Sequence, residues 1–270
     1  LDFDGVDDYL SRNSFIAGLS EVTVMAWVKS DSGNSTNMII AGEDIALKLW
    51  LENGHHPTFS VSTNGSSQQT VGGSGKSVIN YDEWHHIAGT FSASTGQIKI
   101  YVDGVLEDTT SITGSALTSS GDSSEVFEIG RFSNELTDGQ YFKGDIDEVR
   151  VFNALLSADQ IQRMVYQEIE NNSGNVKGKI IQKNIVDIAT SSTIPWTKLF
   201  AYYPMTEIKS SSILDYSSCG RTIRLHNIKT IEEQTAPMPY VSNASGSGSW
   251  TTQSTWLHGD VWDIENTATN

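Results

Sequence analysis

Cysteine is almost missing from this chain: Cys219 stands alone among 270 residues. One thiol forms no disulfide within the chain and no thiolate metal cluster, which sets the protein apart from small cysteine-stapled domains. Basic residues are scarce too, 17 against 33 acids, for a formal net charge of −16. That balance disfavours nucleic acid as a partner, where cationic contacts supply most of the affinity. It also disfavours anionic membranes and sulfated or carboxylated glycans, unless a cation bridges the two. Such acidity keeps a secreted protein soluble and suits calcium. No apolar run approaches the roughly 20 residues that span a bilayer. Neither an initiator Met nor a basic-then-apolar leader stands at Leu1, so the chain is expected to be processed or cut from something longer.

Helical periodicity is nearly absent as well. What fills the first 153 residues is short alternating segments broken by Gly, Asn, Asp and Ser. VTVMAWVKS (22–30), IALKLWLENG (45–54), TFSVSTNG (58–65), WHHIAGTFS (84–92), EVFEIGR (125–131) and DIDEVRVF (145–152) all read as strands. QIKIYVDGVLEDT reads as a hairpin turning at Asp103-Gly104. With 37% hydrophobic residues, seven Trp, nine Tyr and nine Phe, these strands can enclose a core. The pattern predicts a two-sheet antiparallel sandwich or jelly roll, all-β in class. One helix is expected in LSADQIQRMVYQEI, where Ser157 and Gln160 form a capping box and Ile161, Met164, Val165 and Ile169 share a face.

Beyond Asn171 the composition turns polar. Strand-like stretches return at LFAYYPM and IRLHNI within 199–228, and a Pro-then-Ser/Gly linker follows Thr235. The tail WTTQSTWLHGDVWDI reads as part of that linker or the start of another module.

LDFDGVDDYL, VTVMAWVKS, EWHHIAGTF, IKIYVDGVLED, FEIGRF and YFKGDIDEVRVFNALLSADQI occur in this order over about residues 1–166. Together they resemble bacterial laminin-G-like domains of the concanavalin A-like lectin/glucanase superfamily. The resemblance implies a concanavalin A-like jelly roll over 1–170 with one short C-terminal helix. It is followed by a strand-containing extension over 171–235, and a Ser/Gly/Trp-rich linker or next module over 236–270. Such domains carry an extra strand upstream of the LDFDG segment, and LFAYYPM…IRLHNI is similar to it. That segment either opens a further repeat or occupies the vacant sandwich edge of this one. The tail resembles segments of large surface proteins from Bacteroidetes-type bacteria, which implies a secreted or cell-surface parent with further modules.

The resemblance also implies a structural calcium held by Asp147 together with Asp4 and the Gly5 carbonyl, with Asp7 and Asp8 next in line. Within GDIDEVRVF, a strict period of two places Asp147, Val149 and Val151 on one face and Glu148, Arg150 and Phe152 on the other. Glu148 and Arg150 are then expected to pair, and Asp145 to sit in a turn. The glucanase-type Glu-x-Asp-x-x-Glu arrangement is absent: Glu125 and Glu128 have the wrong spacing, and Glu43, Asp44 and Glu52 are too spread. His85 and His86 point to opposite faces of a strand and do not share a metal. Sugar recognition needs flat aromatics and polar hydroxyl partners, on the concave sheet face or the loop rim. The candidates are Trp50, His55, His56, Tyr81, Arg131, Asn134 and Tyr141, with Trp27 and Trp84 assigned to the core. The expected function is a non-catalytic carbohydrate-binding or adhesive module, with carbohydrate or a cell-surface protein as partner and calcium as stabiliser. A polysaccharide hydrolase or lyase on the same fold, and a spacer without ligand, are the alternatives.

Overall fold

The run EVTVMAWVKS is apolar at odd and even positions alike, which suits a strand covered on both sides. In the computed structural model, which describes residues 1–33, 35–43, 45–121, 125–133, 140–206 and 208–228, this run is β3 (Glu21–Ser30). Val22, Val24, Ala26 and Val28 enter a core between two sheets, while Met25 and Trp27 enter apolar packing on the far side. β3 lies inside a seven-stranded antiparallel sheet ordered β1 (Asp2–Asp4), β12 (Lys143–Phe152), β3, β8 (Trp84–Ser92), β9 (Gln97–Val102) and β10 (Val105–Ser111), with β15 (Leu199–Tyr203) also on β12. The facing sheet has nine strands. Its order is β16 (Ile208–Lys209), β17 (Ser212–Ile213), β18 (Ile223–His226), β2 (Tyr9–Asn13), β11 (Val126–Ile129), β4 (Met38–Glu43), β5 (Leu47–Glu52), β6 (His56–Val61) and β7 (Gln69–Gly72). The all-β, two-sheet expectation therefore holds. The Asp103-Gly104 hairpin also forms, with φ of 51° and 80° at the two turn residues, as a tight primed turn requires. The sheets approach closely at Gly89 in β8, where an added Cβ would lie 2.4 Å from the Phe59 ring.

The outer side of the seven-stranded sheet is covered by residues 152–202. Phe152, Leu156, Ile161, Met164, Ile169, Val176, Ile185, Ile194, Trp196, Leu199 and Tyr202 form a second apolar cluster with Met25, Ala88 and Tyr101. The short helix α1 (Ala158–Met164) begins in this cover with the expected capping box: Gln160 N–H donates to Ser157 Oγ at 3.3 Å and Ser157 N–H to Gln160 Oε1 at 3.0 Å. It ends earlier than the sequence pattern suggests. Ile169 opens β13 (Ile169–Asn172), which pairs with β14 (Asn175–Gly178). A helix end leaves carbonyls without internal partners. Here buried side chains satisfy them: Arg150 donates to Met164 O and Gln167 O, and Trp27 Nε1 donates to Val165 O at 2.7 Å.

β12 departs from the strict alternation. Its pairing with β3 shifts between Asp147 and Arg150, and Glu148 takes a left-handed φ of 53°. One extra residue in a bulge reverses parity downstream of it. Ile146, Val149 and Val151 therefore face the core, and Asp147 pairs with Trp27 on the outer side rather than sharing a face with Val149. Asp145 is also a strand residue, not a turn residue; it is buried and pairs with Lys29 at 3.3 Å.

The extension joins the sandwich's own sheets. β1 pairs with Gly144 and its neighbours at the start of β12, and β15 takes the same edge from Val149 to Phe152. β18 pairs with β2. Ala201, Tyr203, Met205, Ile213 and Ile223 are buried in the same core as β3.

Candidate functional site

The nine-stranded sheet sends Leu10, Phe127, Ile129, Leu49, Leu51 and Phe59 inward. Alternation then directs Tyr9, Ser11, Glu128, Lys48, Trp50, Ser60, Arg224 and His226 to its outer side. The register makes them neighbours: Ser11 stands between Glu128 and Arg224, and Tyr9 opposite His226.

Three of the sequence candidates come together here. Trp50 on β5 is half-buried; its Nε1 donates to Ser60 Oγ at 3.1 Å, which fixes the ring across the sheet. Lys48 Nζ lies 4.9 Å from the Trp50 ring centre and 5.3 Å from that of Phe132, a cation held between two aromatic rings. Arg131, just past β11, donates through Nε to Glu128 Oε1 at 2.8 Å, and the Tyr141 side chain lies near enough to favour its charged form. Its guanidinium lies 3.3 Å from the Tyr9 ring centre. His226 stacks on Tyr9 with centroids 4.2 Å apart and planes 2° from parallel. Because β18 and β11 flank β2 on opposite sides, His226 and Arg131 reach Tyr9 from opposite sides. Ser11 Oγ and His226 Nε2 share a 2.9 Å hydrogen bond. Burial lowers the proton affinity of His226, and the charges of Arg224 and Arg131 lower it further.

His55, His56 and Tyr81 form their own group at the tip of the β5–β6 hairpin. Tyr81 Oη and His55 Nδ1 are 2.6 Å apart, and the two imidazoles lie 4.3 Å apart. His56 pairs with Glu52 and so shares the outer side with Trp50, at the rim of the sheet. Asn134 lies outside the described residues. Trp27 is buried as expected, and Trp84 packs partly buried beside it.

Among the described residues, the strand acids Glu43 and Glu128 are set apart from each other. Glu128 is buried, with Oε1 taken by Arg131 and Oε2 by Ser133 N–H at 2.7 Å. Glu43 pairs across from Phe127 and faces the interior, where it accepts the backbone N–H groups of Phe15, Ile16 and Ala17. Burial pushes its carboxyl up, and those three bonds oppose the push. Glu43 and Glu128 thus address opposite sides of one sheet, and a retaining pair must flank a single bond.

The carboxylates of Asp4, Asp7 and Asp8 gather between β1 and β2, with ligand oxygens all within 4.8 Å of one another. The turn itself uses some of them: Asp4 Oδ1 accepts Val6 N–H at 2.8 Å, and Asp8 Oδ2 accepts Asp4 N–H at 3.0 Å. Asp147 does not join this group. Asp4 pairs with Lys143, so Asp147 lies four positions further along the strand, about 13 Å at the usual rise. Oxygens sharing one calcium must lie within about 5 Å of each other.

Sequence reasoning missed Tyr9, Lys48, Glu128, Arg224 and His226. The alternation around Lys48 and Trp50 was a usable signal, whereas the Tyr9–His226 stack joins residues more than 200 positions apart.

Known proteins agree with this architecture. The model of the concanavalin A-like lectin/glucanases superfamily matches residues 4–162. A curated rat protein, the sushi, von Willebrand factor type A, EGF and pentraxin domain-containing protein 1, is 26% identical over 174 residues, which is 61% of this chain and 5% of that protein. A crystal structure from Bacteroides ovatus, of a protein named for carbohydrate binding, superposes with a TM-score of 0.62 at 20% identity, covering 88% of this chain and 60% of that one. The SAP-like pentraxin of Limulus polyphemus gives 0.48 at 15% identity, covering 72% and 89%. The chain thus spans only a small part of the rat protein and under two thirds of the Bacteroides one. No helix among the described residues is long and apolar enough to cross a membrane. By its family match and its two facing antiparallel sheets, the chain belongs to the concanavalin A-like lectin/glucanase superfamily.

Proposed function

We propose that this chain is a non-catalytic carbohydrate-binding module of an extracellular bacterial protein, with its ligand face on the outer side of the nine-stranded sheet. One observation carries the reading: Trp50, Arg131 and Tyr141, distant in sequence, reach the same partly exposed surface beside Lys48, Ser11 and His226. A flat indole offers an apolar platform for a pyranose face, and the surrounding polar groups match its hydroxyls. The name of the Bacteroides ovatus protein, which shares the fold, agrees with this reading. Hydrolysis lacks a matching support, because the strand acids Glu43 and Glu128 face opposite sides. Glycan-array binding of the chain is the test. Trp50→Ala should weaken retention of the bound glycan roughly tenfold, about 1.4 kcal/mol, with little change in melting temperature. Binding that is indifferent to Trp50, or release of products from a polysaccharide panel, would overturn the assignment.

Calcium belongs to the same proposal. Asp4, Asp7 and Asp8, with the Gly5 carbonyl, offer the mixed carboxylate and carbonyl oxygens that a hard cation prefers. Bound there, the ion would neutralise clustered charge and pin the turn between β1 and β2. Calcium at about 100 times its dissociation constant adds about 2.7 kcal/mol to the native state. A melting temperature higher by about 5 °C in calcium than in chelator is expected, and Asp7→Asn should shrink the difference. Identical melting curves would remove calcium from the account.

A further inference from the structure

The hairpin tip between β5 and β6 carries two consecutive histidines, a pattern that alternation would split between opposite sides of a sheet. The local backbone prevents the split. Asn53 and Gly54 take left-handed φ of 53° and 80°, and His55 N–H closes the turn on Glu52 O at 3.3 Å. Glu52 then pairs with His56, so His55 is an extra loop residue outside the ladder. The proline that follows, Pro57, favours extended backbone at His56. The two imidazoles, both half-buried, end with ring centres 4.3 Å apart and planes 36° from parallel.

Their hydrogen bonds set which nitrogen is free. A carbonyl only accepts, so His55 Nδ1 carries the hydrogen and donates it to Asn53 O at 2.8 Å. Tyr81 Oη gives its own hydrogen to Asn53 O at 3.3 Å and stands 2.6 Å from the same Nδ1, a second acceptor that backs this tautomer. His56 Nδ1 donates in the same way to Ser77 O, 3.4 Å away. Both Nε2 lone pairs are left without a partner among the described residues. A histidine whose Nδ1–H is held by a carbonyl and whose Nε2 is open is prepared for a metal ion. The other described histidines are not. His85 uses both ring nitrogens, on Asp103 Oδ2 and Asn80 N–H, His226 Nε2 is bonded to Ser11 Oγ, and His86 is buried. Glu52, across from His56, accepts Ser74 N–H at 2.5 Å and adds a negative charge that suits a cation.

We infer that His55 and His56 form a copper(II) site through their Nε2 atoms, with water in the remaining positions. It stands apart from the carbohydrate and calcium readings and depends on neither. The ring spacing chooses the metal. An imidazole nitrogen sits about 2 Å from a late divalent ion, so ring centres 4.3 Å apart subtend roughly a right angle at it. A right angle suits the tetragonal nitrogen and oxygen coordination of copper(II), whereas tetrahedral zinc spreads its ligands wider. Copper also stands highest in the affinity order of the divalent first-row ions. Calcium takes oxygen ligands and has little to gain from two imidazoles.

Copper(II) titration of the whole chain, followed by calorimetry and electron paramagnetic resonance, tests the site. The parent should take up copper with a tetragonal spectrum and nitrogen coupling from two imidazoles. Zinc should bind at least tenfold more weakly. His55→Gln and His56→Gln should each weaken copper binding tenfold or more and reduce the coupling to one imidazole. Tyr81→Phe keeps the ring and removes the acceptor oxygen beside Nδ1, so it should cost less than either. His258→Gln, a change near the end of the chain, should leave both readouts as they are. Full copper affinity in the His55→Gln/His56→Gln double variant would overturn the site. So would a parent spectrum with a single imidazole, or loss of the signal in His258→Gln.

Discussion

Arg150→Met is expected to lower stability by about 3–5 kcal/mol, the cost of stripping one partner from a buried ion pair. Arg150 and Glu148 are both fully enclosed beneath α1 and the 152–202 cover. The guanidinium bonds the Glu148 carboxylate and the carbonyls of Met164 and Gln167. Burial pushes the Glu148 carboxyl up, and Arg150 opposes that push, helped by Tyr202, whose Oη donates to Glu148 Oε2 at 2.9 Å. Without Arg150 the carboxylate has to ionise against desolvation or stay protonated, and the carbonyls of Met164 and Gln167 each lose a guanidinium donor. The bulge gives this arrangement its geometry. Had β12 kept strict alternation, Asp147 would point into the apolar core with Val149. Urea denaturation of Arg150→Met beside Glu148→Gln/Arg150→Met measures the effect. The double variant should recover a large part of the loss, because no buried charge remains. A single variant within 0.5 kcal/mol of the parent would show that the pair contributes nothing.

The strands and the Asp103-Gly104 hairpin were legible because alternation and turn chemistry are local properties. The capping box at Ser157 was legible for the same reason. The bulge at Glu148 was not: an inserted residue leaves no mark in a pattern with period two, and one unseen insertion misassigned the face of Asp147. The helix was read too long because Ile169 continues its apolar phase, whereas the donors that take over its final carbonyls, Arg150 and Trp27, lie far away in sequence. Trp50 and Arg131 were found by residue type. Their shared surface became visible only through pairings such as β2 with β18, which bring His226 to Tyr9. Of the residues expected to hold calcium, Asp4 lies in the turn where Asp7 and Asp8 also gather, whereas the register of β1 on β12 takes Asp147 out of their reach.

Stability should also fall steeply in acid, and His86 should account for much of the slope. Its ring is fully buried edge-on to Trp27, and neither nitrogen has a hydrogen-bond partner. Burial, reinforced by the charge of Arg150, lowers its pKa from 6.5 to about 3. The unfolded chain therefore binds a proton near pH 6.5 that the native state refuses until about pH 3. The stabilisation is complete above the unfolded value and is lost as pH falls between the two, by up to about 1.4 kcal/mol per pH unit and roughly 5 kcal/mol in all. Asp103 adds a smaller loss of the same sign. Burial would raise its carboxyl, but bonds from His85 and the His86 N–H outweigh that and hold it below the ordinary range. His86→Phe keeps an aromatic edge against Trp27 and removes two unbonded polar atoms, so it should be near neutral at pH 7. It should also flatten the limb between pH 6 and 4 while leaving the Asp103 contribution in place. His86→Leu guards against overpacking by the larger ring. Equal slopes in parent and both variants would exclude His86 as the source. The ion pair enters here as well: Arg150→Met removes a cation that repels the protonated imidazole, so in that background the His86 limb should begin at the same pH but level off sooner and fall less. The two positions are thus coupled through charge as well as through the shared cover, and a pH series on the double variant His86→Phe/Arg150→Met measures that coupling.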